Sequence, residues 1–588
     1  MARRAACVAC GRVDSVAVFT CQRHDAGMIR GPAACAVRRL EAMQMMVKFL
    51  CSPNLATVPR RGARWQRATA LAVAMSLLVV PGAGWVQAQA MPARALPALG
   101  DAASEDLTVG AERHLGDRIM QEVRRDPDVI DDPLMLDYIN GLWQPLIGAA
   151  RVRGEVSPDL DAHYAWEAFL VRDRSINAFA FPGGYIGVHL GLIAMTGTRD
   201  ELASVLAHEL SHVTQRHIAR SIAVNRRQSI LGVAAMILGV MAAARSPRGD
   251  GAQAAIMGGQ AMMVQGQLNF SRDMEREADR VGFGVLEQAG FAPLGMVAMF
   301  ERLQQSARLT DSQQYPYLRS HPLTSERIGE ARSRLGLSGA ALSLEALATP
   351  DAARWLHAAM QGRARALMDG RTDVLQRLAA TPLTGSGPEA LATSYAVAVA
   401  ALRLKDWKTA DAAVMQCQTL AAQQPGAARA VWVLQAEAAI EKGRPSEAER
   451  IVAERLSDGS RTGLMLASRA VLATNGPAAG LRAQAEALQI WVSGHPSDGA
   501  AWAQLAQMHR RLGQALAALR AEAESHWASG DVNGAIDRLR AGQRLARNAR
   551  GRDDDGIDAT VIDARLKVME QQRRRQRIED GVEPGAGG

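Results

Sequence analysis

Thr198-Arg199-Asp200-Glu201-Leu202-Ala203-Ser204-Val205-Leu206-Ala207-His208-Glu209-Leu210-Ser211-His212 is the stretch on which the fold of this 588-residue chain turns. Thr198 and Glu201 have the spacing of a capping box, Asp200 falls in the first turn, and Leu202, Val205, Leu206 and Leu210 form one apolar face, so the stretch reads as a helix. His208 and His212 then project from the same side with Glu209 between them. That is the pattern of a hydrolytic zinc site in which two imidazoles hold the metal and the glutamate acts as general base. A chance match inside a buried helix is the competing reading, and the chain has to supply a third ligand to displace it.

A candidate lies about sixty residues downstream, in Ser271-Arg272-Asp273-Met274-Glu275-Arg276-Glu277-Ala278-Asp279. Catalytic zinc commonly takes three protein ligands and keeps one position open, and a carboxylate on a second helix supplies the third. Glu275 is expected to be that ligand, because Asp279, one turn on, can reach the far nitrogen of His208 and hold its tautomer. Glu277 is expected to point elsewhere. The other common zinc pattern needs a histidine ten residues after His208 and a glycine at seven, positions held here by Ile218 and Gln215. His217 follows His212 by five residues, which on a continuous helix turns it away from the ligand face and leaves it as a surface residue or one that supports a ligand from behind. The residues therefore predict a gluzincin-type zinc metalloendopeptidase with one Zn2+ per chain, held by His208, His212 and Glu275.

Three segments in order, Asn177 to Val188 (NAFAFPGGYIGV), His208 to His217 (HELSHVTQRH) and Glu275 to Asp279 (EREAD), resemble the zinc metallopeptidases related to HtpX and the CAAX prenyl proteases. The likeness covers roughly residues 105 to 335, and is greatest to bacterial members that append a tetratricopeptide array. The resemblance implies an α+β zincin-like domain, mostly helical with a small sheet, followed by an all-α tetratricopeptide-like solenoid. It also implies action on unfolded or misassembled envelope proteins, in quality control of outer-membrane protein assembly. The repeats would contact the outer-membrane assembly machinery.

Around these motifs, Leu115, Ile119 and Val123, then Leu134, Leu136, Ile139 and Leu142, predict a helical pair wrapping the core. His163 to Val171 and Ile176 to Val188 read as two strands joined at Arg172-Asp173-Arg174. A substrate added as a further strand would run along the second, with Asn177, Gly184 and Tyr185 bordering the cleft; ordinary strand residues with a glycine bulge are the equal alternative. His321, in Tyr317-Leu318-Arg319-Ser320-His321-Pro322-Leu323, has three readings: it stabilises the oxyanion, a role Arg327 could take instead, closes the zinc at rest as a fourth ligand, or caps a helix.

The formal charge of +8 would suggest an anionic partner, but its distribution cancels that inference. Residues 1 to 90 hold twelve Lys or Arg against three Asp or Glu, so the remainder carries −1 and no nucleic-acid partner is expected. Arg60, Arg61, Arg64 and Arg67 precede an apolar run from Ala68 to Val80, then Pro81, Gly82 and Ala88-Gln89-Ala90. This is a secretion signal expected to be cut after Ala90, giving a periplasmic product that starts at Met91. Met43, Met45 or Met46 is then a candidate start. Cys7, Cys10, Cys21 and His24 have a zinc-like spacing but would leave with the signal, as would all cysteines except Cys417, so no disulfide is expected within the mature chain.

Ile230 to Met241 is apolar but too short to span a bilayer, and a Gly-rich and Met-rich stretch follows it. Three readings stand for 229–244: a hydrophobic cover over the active site, peripheral membrane contact, or plain core. Residues 350 to 550 are Ala-rich, and Trp432, Ala436, Gly443 and Ala448 recur seventy residues on as Trp502, Ala506, Gly513 and Ala518. That interval is close to two tetratricopeptide repeats. The expected organisation is 1–90 extension and signal, 91–340 zinc metallopeptidase domain, 350–550 tetratricopeptide-like repeats, and 570–588 a charged tail without fixed structure. A periplasmic chaperone or assembly scaffold with a latent zinc site is the alternative function.

Overall fold

The computed structural model describes residues 107–224, 271–309, 316–339, 351–548 apart from 475 and 477, and 555–579. The signal segment, the early cysteines and 229–244 lie outside them. The described residues are mostly helical, with one four-stranded sheet. Among them no helix is long and apolar enough to cross a membrane.

The expected wrapping pair forms as α1 (Val109–Val123) and α2 (Pro133–Val152), which bury Leu115, Ile119 and Val123, and Leu134, Ile139 and Leu142. Between them lies the short strand β1 (Val129–Ile130), and after α2 come α3 (Pro158–His163) and β2 (Glu167–Val171). The second expected strand is corrected into two, β3 (Ala178–Phe181) and β4 (Tyr185–His189). Gly183 and Gly184 take φ of +79° and +84°, a left-handed pair that reverses the chain, so Phe181 faces Tyr185 across an antiparallel hairpin. Strand β4 then inserts parallel to β2, giving the order β1-β2-β4-β3 with β3 at the edge.

A short helix α4 (Leu190–Met195) leads into α5 (Arg199–Thr214), the predicted HExxH helix. Its N-cap Thr198 accepts from Glu201 N at 3.1 Å; Glu201 reaches back to Gly197 N at 2.7 Å, one residue short of a full capping box, and is also held by Arg302. From Asp200 to Thr214 every side chain of α5 is buried, so it is a central helix and not a surface one. It is enclosed by α2, by β3, and by α7 (Arg272–Gln288) and α8 (Leu294–Leu309), which follow α6 (His217–Val224) in sequence. Helices α9 (Pro316–Ser320) and α10 (Ser325–Gly339) complete this region.

The apolar core continues without a break from α2 and α5 into α11 (Asp351–Leu367) and the helices beyond. On α11, His357 accepts the Tyr138 hydroxyl at Nδ1 (2.6 Å) and donates from Nε2 to Thr196 O (2.9 Å). Arg363 pairs with both Asp132 and Glu437. Further on, Arg461 reaches Asp131 at 2.6 Å and Thr462 Oγ1 donates to Asp137 at 2.6 Å. The acidic turn before α2 and the first turns of α2 itself are thus the seam along which the later helices dock.

Helices from Pro388 to Asn548 turn back on one another through a recurring device. Lys405, Gly443, Gly513 and Gly530 each take a positive φ. The next amide in each case bonds five residues back, as in Arg444 N to Ala439 O (2.8 Å) and Gln514 N to His509 O (2.9 Å). The expectation of a structureless tail from Glu570 is corrected over 570–579. Asp555–Glu579 is one helix, seeded by buried Ile562, Leu566 and Met569 and tied by Arg540 to Glu570 (2.8 Å) and by Gln576 to Gln121 (3.1 Å).

Candidate metal centre

Two helices build the centre. Helix α7 starts at the N-cap Ser271, which places Glu275 in its first turn and Asp279 one turn on. It can lie close to α5 because Gly282 faces the backbone of Ala207 and His208, where a Cβ would stand only 3.1–3.2 Å from main-chain atoms. The short helix α9 and the loop after it bring in His321, whose amide bonds Tyr317 O at 2.8 Å.

His208, His212, Glu275 and His321 converge, their ligand atoms all within 4.8 Å of one another and all buried. His208 Nε2 lies 3.0 Å from His212 Nε2, 3.5 Å from Glu275 Oε2 and 3.4 Å from His321 Nδ1. His212 Nε2 is 3.5 Å from Glu275 Oε1, and His321 Nδ1 is 2.9 Å from the same oxygen. Tetrahedral zinc with bonds of about 2.0–2.2 Å needs ligand atoms about 3.3–3.5 Å apart. The donor set fits that ion: the contacts of 3.4–3.5 Å match it, and the pairs at 2.9 and 3.0 Å need to open by a few tenths of an ångström.

The surrounding charges favour a cation. Burial works against a charged His208, yet Asp279 and Glu275 outweigh it and hold the imidazole up at about 9. Burial and the neighbouring His208 push His212 well below the ordinary histidine value. Glu275 is held far below the usual carboxylate range against its burial, chiefly by His321 and His208. Burial raises the carboxyl of Glu209. Its Oε1 is buried without a hydrogen-bond donor, with His321 Nε2 3.4 Å away.

Asp279 stands 3.0 Å from His208 Nδ1, where the sequence put it. Arg327 is buried, grips Asp279 with two bonds of 2.7 and 2.8 Å, and sets Nη1 2.8 Å from Glu275 Oε2. Gly184 and Tyr185 are not brought into the cluster. The Tyr185 hydroxyl donates to Asp117 on α1 at 2.5 Å, and a Cβ at Gly184 would meet Tyr164 at 2.9 Å. Asn177 stands just before the edge strand, beside the point where Tyr317 N meets Ile176 O, and its Oδ1 is buried without a partner.

Sequence reasoning left His217 as either a surface residue or a support behind a ligand, and did not foresee that Glu277 would meet it. His217 is fully buried, with Nδ1 2.8 Å from His212 Nδ1 and Nε2 3.0 Å from Glu277 Oε2. The only hint in the sequence was a second histidine just past the helix end.

The model of peptidase family M48 matches residues 153–335. The beta-barrel assembly-enhancing protease of Escherichia coli K12 is 30% identical over 486 residues, covering 82% of this chain and 92% of that protein. A Vibrio cholerae protein given the same name provisionally is 39% identical over 239 residues, 41% of this chain and 47% of its own length, so that match spans about half of it. The mitochondrial metalloendopeptidase OMA1 of Schizosaccharomyces pombe is 34% identical over 163 residues, 28% of this chain and 44% of that protein. With a metal-binding cluster on the matched segment and a relative aligned over nearly its whole length, the chain is a metalloendopeptidase and belongs to peptidase family M48.

Proposed function

We propose that this chain is an exported zinc endopeptidase that degrades unfolded or stalled envelope proteins during outer-membrane protein assembly. The observation that carries the catalytic half is the buried meeting of three imidazoles and a carboxylate beside Glu209. His208, His212 and Glu275 hold zinc, with Asp279 fixing His208 and Arg327 fixing Asp279. When bound, zinc supplies Lewis-acid polarisation of the scissile carbonyl and of the attacking water. Glu209 takes the proton of the attacking water and passes it to the leaving amine. The client lies along the outer edge of β3, the last strand of the sheet among the described residues, as an added strand beside Asn177.

The biological half draws on the names of the relatives, which speak of β-barrel assembly. The signal ending at Ala90 supports a periplasmic mature chain of two parts, 91–340 and 350–550. The repeated left-handed turns at Gly443 and Gly513 favour a tetratricopeptide-like solenoid that recruits clients or the assembly machinery.

His321 sits within the ligand set, 3.4 Å from His208 Nε2, and this favours the reading in which it closes the zinc at rest. His321→Ala should then raise the rate of cleavage of a short unstructured peptide. A fall of about ten- to a thousandfold would make His321 an oxyanion stabiliser instead. A chain inactive with and without His321, on peptide and casein alike, would favour the assembly scaffold with a latent site.

A further inference from the structure

Residues 212–217 contain a chain reversal whose consequence reaches the metal. Helix α5 ends at Thr214, and Arg216 takes φ of +51°, a left-handed conformation uncommon for a residue with a side chain. It is held there by buried bonds from Nε to Glu112 on α1 (2.9 Å) and from Nη2 to Leu107 O (2.5 Å). The reversal folds His217 back under His212, which a continuous helix would not do. Glu277 on α7 meets it from the other side, itself bound by Arg220 Nη1 at 2.7 Å.

Only one proton arrangement satisfies these contacts if His212 presents a lone pair to the centre. His212 Nε2 faces His208 and Glu275, so its proton must sit on Nδ1. The group 2.8 Å from Nδ1 is His217 Nδ1, which must therefore accept. His217 then carries its own proton on Nε2 and donates it to Glu277 Oε2 at 3.0 Å. Glu277 is placed for this role: its Oε2 also accepts from Arg220 Nη1 at 2.7 Å, which fixes the carboxylate against His217.

We propose that His217 and Glu277 are positioning residues for the metal, a two-member relay that fixes the tautomer and ring orientation of His212. The two histidine ligands are thereby held by different means. His208 leans directly on a carboxylate, Asp279, whereas His212 leans on a neutral imidazole that a carboxylate polarises. Partners of this kind contribute to metal affinity because the ligand is presented already oriented and deprotonated at the right atom. The assignment rests on the zinc reading of the centre.

The test is the zinc dissociation constant of the full chain, measured by competition with a chromophoric chelator. His217→Ala should weaken zinc binding about ten- to a hundredfold. His217→Gln should stay within about threefold of wild type, because a carboxamide offers an acceptor oxygen and a donor nitrogen at about the spacing of the ring nitrogens. Glu277→Ala, with His217 intact, should weaken binding by about three- to tenfold, and it carries the test if His217→Ala does not fold. Three results would overturn the relay: His217→Ala binding as tightly as wild type, His217→Gln binding as weakly as His217→Ala, or Glu277→Ala binding unchanged. A wild-type chain that binds zinc no better than His208→Ala would overturn the centre itself and this assignment with it.

Discussion

Glu209→Gln is expected to lower zinc-dependent casein cleavage by about a hundred- to ten-thousandfold while the chain keeps about one zinc, since a general base accounts for a rate factor of that size and is not a ligand. The geometry separates the two roles. Glu209 lies between the two histidines in sequence but outside the four-residue ligand set, and its Oε1 is a buried oxygen without a donor. Burial raises its proton affinity, which suits a group that must take a proton near neutrality. Glutamine keeps the shape and removes only the basic oxygen. Metal analysis beside the rate measurement checks both halves: loss of zinc in this variant would make Glu209 a ligand, and retained cleavage would move the base elsewhere.

The second large effect is on stability. Arg363 is buried between Asp132 and Glu437, at 2.7–2.9 Å from their four carboxylate oxygens. Asp132 also caps α2, accepting from Met135 N at 3.0 Å. Arg363→Met strands Asp132 in a largely dry seam and leaves Glu437 only Arg469, at 3.8 Å, and removing one partner from such a network costs about 3–5 kcal/mol. A clear drop in the thermal midpoint is expected, and Glu437→Gln added to Arg363→Met should restore part of it by removing one poorly paired charge. An unchanged midpoint would show that the seam between α2, α11 and the later helices does not depend on this pairing.

How much was legible follows from how local each signal is. The capped HExxH helix and the third-ligand helix could be read because capping residues, ligand spacing and apolar periodicity lie within a few turns of one another. The choice of Asp279 as the partner of His208 followed from the same spacing, and the structure has it at 3.0 Å. Features that depend on backbone sign were not legible in that way. Gly183-Gly184 reads equally as a point of close backbone approach or as a bulge, in either case within one strand, whereas both residues adopt positive φ and split it into a hairpin. Arg216 gives no glycine to announce its left-handed turn, so helical geometry keeps His217 off the ligand face but does not foresee its contact with His212 Nδ1. Its conformation is imposed from a distance by Glu112, more than a hundred residues earlier. The tail from Glu570 looked too charged to fold, but apolar residues just before it carry the helix on to Glu579. Arg327 was assigned to the reaction because it follows His321 in sequence, and only the fold shows its donors committed to Asp279, Glu275 and Pro322.

The central claim is that cleavage by this chain requires a zinc ion held by His208, His212 and Glu275. The most direct measurement strips the purified protein with a chelator and titrates zinc back while recording bound metal and casein cleavage together. Cleavage should vanish on stripping and return in proportion to zinc, reaching its plateau at about one ion per chain, with His208→Ala, His212→Ala and Glu275→Ala neither binding tightly nor cutting. Casein cleavage that persists in the stripped chain, or full zinc occupancy in Glu275→Ala, would contradict it.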